Sequence, residues 1–388
     1  MILLILSFFE ESTLPVLPNA SRIAILFIPL ILFFYFIYTG IKFNSGDRHI
    51  ILAFILFMSV QILGIRLNSV YYSLTQIYRS FSALIIVLYA RHFTFNQQKA
   101  NSVVALSALS AFLGIMSFIL EEASNGNIFF GNLNTVGALF FILSALDLAI
   151  YFKNKKSIFI VFAVINLIII LISNTRTAFL LLLIAAVLFA CVKLFGKSQL
   201  KTKLFFVVTL LLLFAFVVFY YNITDKGYRD ILNKISNALF NKNFDSGRPV
   251  LWHHTIESVG SHWFFGRGTG ASLKEFVSGV ENSHNSFLEI YLQNGALGAL
   301  AFVICLLVCI KEKGKCCKNS FNIFIMVLAF ILIFYNTLGV VLVKPRSGIG
   351  LLQWALLALP YADVENSERR EIASDKSCSS GLQCETLR

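Results

Sequence analysis

The sequence predicts an all-α polytopic membrane protein. Three observations lead to this prediction. Mean hydropathy is +0.78, apolar residues make up 57% of the 388 residues, and charged residues make up only 13%. Because apolar runs long enough to cross about 30 Å of hydrocarbon recur along the chain, we expect a helix bundle that is surrounded by lipid.

About twelve apolar runs are predicted to cross the membrane. In chain order they lie near residues 1–9, 23–41, 50–65, 74–90, 103–120, 133–152, 158–173, 178–194, 204–221, 287–310, 323–343 and 349–359. The first run lacks a basic start and a small-residue cleavage site, so we interpret it as a span and not as a removed signal peptide. Residues 1–361 are predicted to form the bundle, and the serine-rich residues 362–388 a disordered cytoplasmic tail.

The charges of the loops predict how the spans are oriented, since cytoplasmic loops carry an excess of Lys and Arg. Alternate loops carry two to four cations each, namely Lys42 and Arg48, then Arg91 and Lys99, then Lys153, Lys155 and Lys156, then Lys193, Lys197, Lys201 and Lys203, then Lys311, Lys313, Lys315 and Lys318. The opposite loops include Glu10-Glu11-Ser12 and Glu121-Glu122-Ala123, which contain no cation. The long loop 222–283, between the ninth and tenth spans, is therefore predicted to be extracytoplasmic.

Charge and cysteine content indicate neither a nucleic-acid-binding protein nor a small domain held together by disulfides or zinc. The net charge is +12, but most Lys and Arg lie in short loops, and no basic patch alternates with aromatic residues. The sequence therefore predicts no nucleic-acid partner. The seven cysteines show neither a disulfide framework nor the spacing of a zinc site, and the lysine-flanked pair Cys316-Cys317 favours the reducing cytoplasmic side.

Functional residues are expected in the polar stretch from Asp245 to Gly298, which contains four of the six histidines. Pro249 suits the first turn of a helix, and we predict one over residues 249–259 with Val250, Ile256 and Val259 partly toward the membrane. Three of these histidines are interpreted as interfacial, since no carboxylate pattern supports a metal site; they are His253, His254 and His262.

Two arginines at the predicted outer face suit a bound anion. Arg176 follows Asn174-Thr175, either of which can cap the helix that begins there, so its guanidinium is expected beside a positive helix end. Arg248 follows Gly247, which gives the backbone freedom at this position. Each arginine taken alone is also compatible with an interfacial side chain that reaches out of the lipid.

Two further motifs complete the polar stretch. The glycine-rich run at 266–270 is expected to be a flexible loop able to approach a phosphate, although without a preceding strand it is no dinucleotide-binding motif. His284 precedes the tenth span, where Ser283 can cap the helix and the positive helix end keeps the imidazole neutral and able to accept a proton. The alternative is an interfacial histidine. Gly295 and Gly298 are expected to let a neighbouring helix pack closely.

Together these motifs resemble the O-antigen ligase and polymerase superfamily of bacterial envelope proteins. The resemblance rests on Arg176-x-x-x-Leu180, on Ser246-Gly247-Arg248 with Trp252 followed by Phe265-Gly266-Arg267-Gly268-Thr269-Gly270, and on His284-Asn285 followed after nine residues by Gly295-Ala296-Leu297-Gly298. The large outer loop between the ninth and tenth of about twelve spans agrees with it.

The resemblance implies a membrane glycosyltransferase of the GT-C type in the bacterial inner membrane, with its active site facing the periplasm. The donor would be a glycan on undecaprenyl diphosphate, and neither cofactor nor metal is implied, because the glycosyl-diphosphate bond supplies the driving force. The family's diphosphate-binding arginines correspond to Arg176 and Arg248, and its catalytic histidine to His284. Residues with a supporting role would be Arg267, Gly268, Gly270, Asn285, Arg66 and Arg79. For Arg66 and Arg79 the favoured alternative is that they anchor their helices at the membrane interface.

The acceptor distinguishes two activities within this superfamily. A ligase passes the glycan to a sugar hydroxyl of the lipid A core, whereas a polymerase passes it to another lipid-linked repeat. The spacing that follows His284 favours the ligase, and the polymerase remains the alternative. A transporter of lipid-linked glycans is disfavoured, because the spans are nearly free of charge away from their ends, with Asp147 as an exception.

Overall fold

The computed structural model describes residues 2–10, 16–67, 70–71, 73–92, 97–124, 133–173, 175–195, 199–223, 226–240, 243–311, 320–339, 341–343 and 348–359. Regular elements in these ranges are all helical. The predicted tail at 362–388, the pair Cys316-Cys317 and Asn174 lie outside the described residues.

Each of the twelve predicted apolar runs overlaps one helix, and two more helices lie in the loop 222–283. The helices are α1 (Ile2–Glu10), α2 (Leu17–Thr39), α3 (Ser45–Leu67), α4 (Leu74–Arg91), α5 (Gln97–Ser124), α6 (Leu133–Asn154), α7 (Ile158–Ile172), α8 (Arg176–Phe195), α9 (Gln199–Tyr221), α10 (Lys226–Phe240), α11 (Arg248–Val259), α12 (Ser286–Lys311), α13 (Ser320–Thr337) and α14 (Gly348–Ala358). Short 3₁₀ turns lie at Gly260–His262 and Leu273–Glu275.

Six of the described helices are long and apolar enough to cross a membrane, namely α2, α3, α6, α8, α12 and α13. Shorter apolar helices accompany them at Asn101–Met116, Ile158–Ile172, Val207–Tyr221 and Gly348–Ala358. Many of their large apolar side chains are exposed on the bundle, which is expected of a surface that faces lipid. The chain is therefore a multi-pass membrane protein.

Contacts at the helix ends agree with the predicted alternation of spans. At one end, the buried Asp47 at the start of α3 accepts hydrogen bonds from Arg91 Nε (2.7 Å) and binds His92 Nε2 (3.1 Å) at the end of α4. At the other end, the backbone N–H of Gly348 donates to Glu10 Oε2 at 2.8 Å. Residues that the loop charges assign to one side therefore meet one another, while the membrane face that each end meets remains a prediction.

The eleventh predicted run, 323–343, is not one continuous helix. Helix α13 ends at Thr337, and residues 341–343 form a turn. The turn is held by Asn336, whose Oδ1 accepts the backbone N–H of Leu342 at 3.0 Å. An asparagine near the end of an apolar run thus offers the backbone an alternative partner and stops the helix.

Helix α12 is interrupted inside its apolar run. Gly295 has φ 62° and ψ −163°, a conformation that only glycine adopts without strain. The backbone groups freed by the break bond to the segment 263–268 instead: Arg267 N–H donates to Leu292 O (2.8 Å), Gly268 N–H to Gln293 O (3.0 Å), and Ala296 N–H to Trp263 O (2.8 Å). Irregular backbone at this depth is tolerated because another part of the protein satisfies it.

Asp147 is the charged residue noted in the middle of a predicted span, and it is fully buried in α6. Its carboxyl group accepts hydrogen bonds from Ser107 Oγ of α5 at 2.9 Å and from Asn166 Nδ2 of α7 at 3.0 Å. Polar groups in the apolar interior are costly unless they are paired. These two bonds therefore link three neighbouring helices and give Asp147 a structural role.

Candidate active site

Arg176 and Arg248, predicted separately from two distant motifs, lie next to each other at one end of the bundle. Arg176 is the first residue of α8 and Arg248 is the first residue of α11. Each is within electrostatic reach of the other and of the Tyr220 hydroxyl at the end of α9. Two adjacent guanidinium groups repel each other, so their proximity favours binding of a multiply charged anion between or beside them.

The guanidinium of Arg176 is oriented by oxygen atoms from α10 and from the loop after it. Nη1 donates to Ser236 Oγ at 2.9 Å and to the carbonyl oxygen of Asn243. Nη2 donates to Ser246 Oγ at 2.6 Å. These three acceptors carry no formal charge, so phosphate oxygens would compete favourably for the same donors.

Arg248 is placed by a tight turn at Ser246 and Gly247. Ser246 and Gly247 have φ values of 52° and 73°, and the backbone N–H of Arg248 donates to Asp245 O at 3.0 Å. The same carbonyl oxygen accepts the hydroxyl of Tyr220 at 2.6 Å, which ties the turn to the end of α9. The helix predicted over 249–259 is confirmed as α11, except that Val259 is buried, not membrane-facing.

Asp245 provides negative charge beside the two arginines. It is buried, and its Oδ2 accepts a hydrogen bond from Arg229 Nε of α10 at 2.6 Å. A buried carboxylate is costly unless it is paired. Arg229 therefore stabilises the turn that presents Arg248, a role that sequence reasoning missed because the two residues lie in different elements.

Aromatic side chains pack together beside the arginine pair. Tyr220 packs against Phe244 and Trp252, with ring centroids 5.7 Å and 5.3 Å away. Trp252, which the sequence analysis grouped with the Arg248 motif, is fully buried. This rigid packing joins α9, α11 and the loop between α10 and α11, and so limits the movement of Arg248.

His284 lies in an exposed turn before α12 and has φ 51°, in the left-handed region. Its backbone N–H donates to Asn282 Oδ1 at 3.0 Å. The predicted cap at Ser283 is wrong: Asn285 caps α12, since its Oδ1 accepts the N–H groups of Phe287 (2.9 Å) and Leu288 (3.2 Å). Ser283 N–H instead donates to Glu289 Oε2 at 3.2 Å. This cap fixes Asn285, the residue that directly follows His284.

Asn336 of α13 supports the same turn, and sequence reasoning missed it. Its Oδ1 accepts the hydroxyl of Ser286 at 3.0 Å, and its Nδ2 donates to Gln353 Oε1 of α14 at 2.8 Å. Ser286 N–H donates to Gly339 O at 2.9 Å. The signal that could have found Asn336 is the cost of a primary amide in an apolar run, which is seldom retained without a role.

The glycine-rich run 266–270, predicted to be a flexible loop, packs closely against the interrupted helix α12. A side chain at Gly266 would collide with the backbone of Gln293, and one at Gly295 would lie 2.3 Å from Phe264 backbone atoms. The expected close approach at Gly295 is therefore made by a loop and not by a neighbouring helix. Gly268 N–H donates to Gln293 O (3.0 Å) and Gly270 N–H to Tyr71 O (2.9 Å).

Residues 159–303 match the family model described as O-antigen ligase. This match bears out the predicted resemblance to the O-antigen ligase and polymerase superfamily. The matched segment runs from α7 into α12 and includes Arg176, Arg248 and His284. Members of this superfamily are membrane glycosyltransferase-like enzymes. No curated protein matches the chain.

The three arginines predicted to have a supporting role, Arg267, Arg79 and Arg66, differ in their contacts. Arg267 donates from Nε to Ser258 O at 2.6 Å and lies 5.6 Å from the ring centre of Phe276. Arg79 of α4 donates to Gln76 Oε1 and to Val343 O, both at 2.7 Å, and so holds the turn that follows α13. Arg66 is exposed in the last turn of α3. A part for these residues in substrate binding remains a prediction.

The other three histidines of loop 222–283, His253, His254 and His262, each contact a different residue. The ring of His253 stacks on Tyr221 with centroids 4.1 Å apart, and His254 Nδ1 lies 3.3 Å from Glu257 Oε2. His262 Nδ1 lies 3.4 Å from Ser261 Oγ. Within the described ranges, no group of three His, Cys, Asp or Glu side chains is arranged to hold a metal ion.

Proposed function

We propose that the protein is an O-antigen ligase, a metal-independent, inverting glycosyltransferase of the GT-C type. It transfers a glycan from undecaprenyl diphosphate to a sugar hydroxyl of the lipid A core during lipopolysaccharide assembly. The twelve spans of residues 1–361 cross the bacterial inner membrane, with loop 222–283 in the periplasm and residues 362–388 in the cytoplasm. The superfamily match supports the general activity, and the choice of the ligase over the polymerase rests on the spacing that follows His284.

The adjacent arginines carry this proposal. Arg176 begins a helix that is long and apolar enough to cross a membrane, and Arg248 lies beside it, so the diphosphate of a membrane-embedded lipid would be able to reach both. As the glycosyl bond breaks, negative charge accumulates on the diphosphate. Oriented guanidinium groups stabilise that charge more in the transition state than in the ground state, which accelerates the reaction.

The reaction itself is a single displacement. The acceptor oxygen forms a bond to the anomeric carbon while the bond from that carbon to the diphosphate oxygen breaks. The acceptor proton passes to His284, and undecaprenyl diphosphate leaves with the electron pair. Because attack and departure occur on opposite faces of the sugar, the anomeric configuration inverts. A neutral histidine is suited to this role as general base.

An apolar cavity below Arg176 supports a lipid-linked donor. It has a volume of about 220 Å³ and is bounded by α6, α7, α8 and α13, with Leu182, Ala185 and Phe189 of α8 among its lining residues. Leu182 follows Arg176 by six positions, which corresponds to roughly 9 Å along the helix. A lipid chain whose phosphate binds Arg176 could therefore extend down α8 into this cavity.

A strain that lacks the protein provides the direct test. Loss of a ligase should leave long glycan chains on the undecaprenyl carrier and lipid A core without O-antigen on the surface. Loss of a polymerase would instead leave cores that carry a single repeat. That second outcome would replace the ligase by the polymerase and leave the proposed donor site unchanged.

The proposed topology is tested separately with reporters. A reporter fused after Asn243 should behave as extracytoplasmic and one after Lys315 as cytoplasmic. The reverse pattern would remove the candidate site from the periplasmic face.

A further inference from the structure

Helix α10 has an apolar face that no other described element covers fully. Tyr228, Ile231 and Ile235 follow one another at intervals of three and four residues, so they share one face of the helix. Their exposed fractions are 67%, 57% and 54%. Isolated apolar residues on a surface need no explanation, but three in a row on one helix face indicate a contact.

The adjoining face of α10 is polar and is bound to the candidate site at three points. Arg229 donates to Asp245 Oδ2 at 2.6 Å, Asn233 Oδ1 accepts the N–H of Phe244 at 2.7 Å, and Ser236 Oγ accepts a hydrogen bond from Arg176 at 2.9 Å. On the remaining face, Asp230 and Lys234 are exposed. The helix therefore has distinct protein-facing, apolar and charged faces.

These three contacts determine how α10 lies relative to the spans. Asp245 and Phe244 are joined to Tyr220 at the end of α9, and Arg176 begins α8. The first contact and the last are seven residues apart, or roughly 10 Å along the axis. Since both are anchored at the ends of spans, α10 must run along the end of the bundle and cannot project away from it.

We propose that α10 is an interfacial helix whose Tyr228–Ile231–Ile235 face inserts into the lipid bilayer beside the arginine pair. The ends of α8 and α9 to which α10 is bound also expose apolar side chains, namely Leu180, Val218 and Phe219, as expected of a surface that meets lipid. Tyrosine is favoured at the boundary between hydrocarbon and water. Amphipathic helices of this kind bury an apolar face at the level of the headgroups while their charged face remains in water.

A protein partner fits this face less well than a bilayer does. Three side chains expose at most a few hundred Å², whereas a stable protein interface buries about 800 Å² on each partner. Lipid needs no such area, because the bilayer already surrounds the neighbouring spans. Insertion would hold Ser236 and Asn233 at a constant depth beside Arg176. The inference depends on the membrane location of the spans but not on glycosyl transfer.

The depth of α10 can be measured by fluorescence on the full chain in nanodiscs of phosphatidylethanolamine and phosphatidylglycerol. After the native cysteines are replaced, an environment-sensitive NBD label is attached at Ile231→Cys or, as a matched control, at Lys234→Cys. We expect the label at 231 to emit at shorter wavelength than the label at 234, and lipids brominated near the glycerol to quench it more strongly. Equal, water-like emission at both positions without quenching would overturn the proposal.

A photo-crosslinking amino acid at position 231 gives a second measurement that retains the native cysteines. Adducts with phospholipid, detected by mass, are the expected product. Adducts with a second copy of the chain or with another protein, in place of lipid, would overturn the proposal. Neither experiment reads activity, so failure here leaves the proposed reaction intact, and failure of the proposed reaction leaves this inference intact.

Discussion

Arg176 Nη2 donates a 2.6 Å hydrogen bond to the hydroxyl of Ser246, seventy residues further along the chain. The contact joins the start of a predicted span to the turn that presents Arg248. It orients the guanidinium before any substrate arrives, and it does so with a neutral acceptor. Preorganisation of this kind lowers the entropic cost of binding a diphosphate, while the neutral oxygen remains easy for an anion to replace.

Arg176→Lys should lower glycosyl transfer by about 10²-fold, and Arg176→Ala by more. The planar guanidinium reaches Ser236, Asn243 and Ser246 from two nitrogens, whereas a lysine ammonium offers one compact donor group. Arg48→Lys, at an exposed position in the first turn of α3, is the matched control. Transfer is measured with purified protein and lipid-linked glycan, and unchanged transfer in Arg176→Ala would remove this residue from the site.

His284→Asn should reduce the rate of transfer by about 10²–10⁴-fold while donor binding is retained. Asparagine tolerates the left-handed backbone that His284 adopts at φ 51° but cannot act as the base. His284→Ala would add backbone strain, so the asparagine variant isolates the chemistry. Loss of donor binding with normal turnover of bound donor would contradict the assignment of His284 as general base.

Asn336→Ala should lower kcat more than it changes the KM for the donor. The substitution removes the partner of Ser286 Oγ and Leu342 N–H, and thereby loosens the turn that carries His284, whereas the arginine pair lies on other helices. Leaving such buried groups unpaired costs about 1–3 kcal/mol of stability. Asn322→Ala, near the opposite end of α13, controls for the loss of a buried asparagine. Equal effects of both variants on kcat would show that Asn336 acts through stability alone.

Gly295→Ala should lower the melting temperature in detergent far more than Gly279→Ala. Both glycines have positive φ, at 62° and 77°, so both variants incur backbone strain of about 1–2 kcal/mol. A methyl group at Gly295 would also lie 2.3 Å from Phe264 backbone atoms, whereas nothing lies within 4 Å of the position at Gly279. Similar melting temperatures for the two variants would mean that the loop does not pack into the break of α12.

Ala185→Trp should weaken donor binding, because the indole would occupy the apolar cavity below Arg176. Val187→Trp, at a position that is 60% exposed on the same helix, is the control. Donor binding is measured by titration with undecaprenyl diphosphate in nanodiscs. Equal affinities for the two variants would show that the lipid chain follows another path, without affecting the roles of Arg176 and Arg248.

The sequence by itself determined which segments are helical and apolar, and which side chains are candidates for anion binding and proton transfer. Each apolar run overlaps a helix because hydrophobic length and composition are local properties, and lipid imposes the same condition on every span. The turn at Gly247 and the start of α11 were also predictable, since glycine and proline restrict or release the backbone where they stand.

Only the tertiary structure decided how these parts meet. Ser283 and Asn285 are both able to cap α12, and the choice fell to Asn285 because Glu289 binds Ser283. Gly295 looked like a helix-packing residue, but the segment 263–268 supplies the partners for a broken helix there. The neighbours of Arg176 come from α10 and its following loop. The contacts of Gly295 and Arg176 join residues tens of positions apart, and their free energy depends on packing geometry that local composition does not encode.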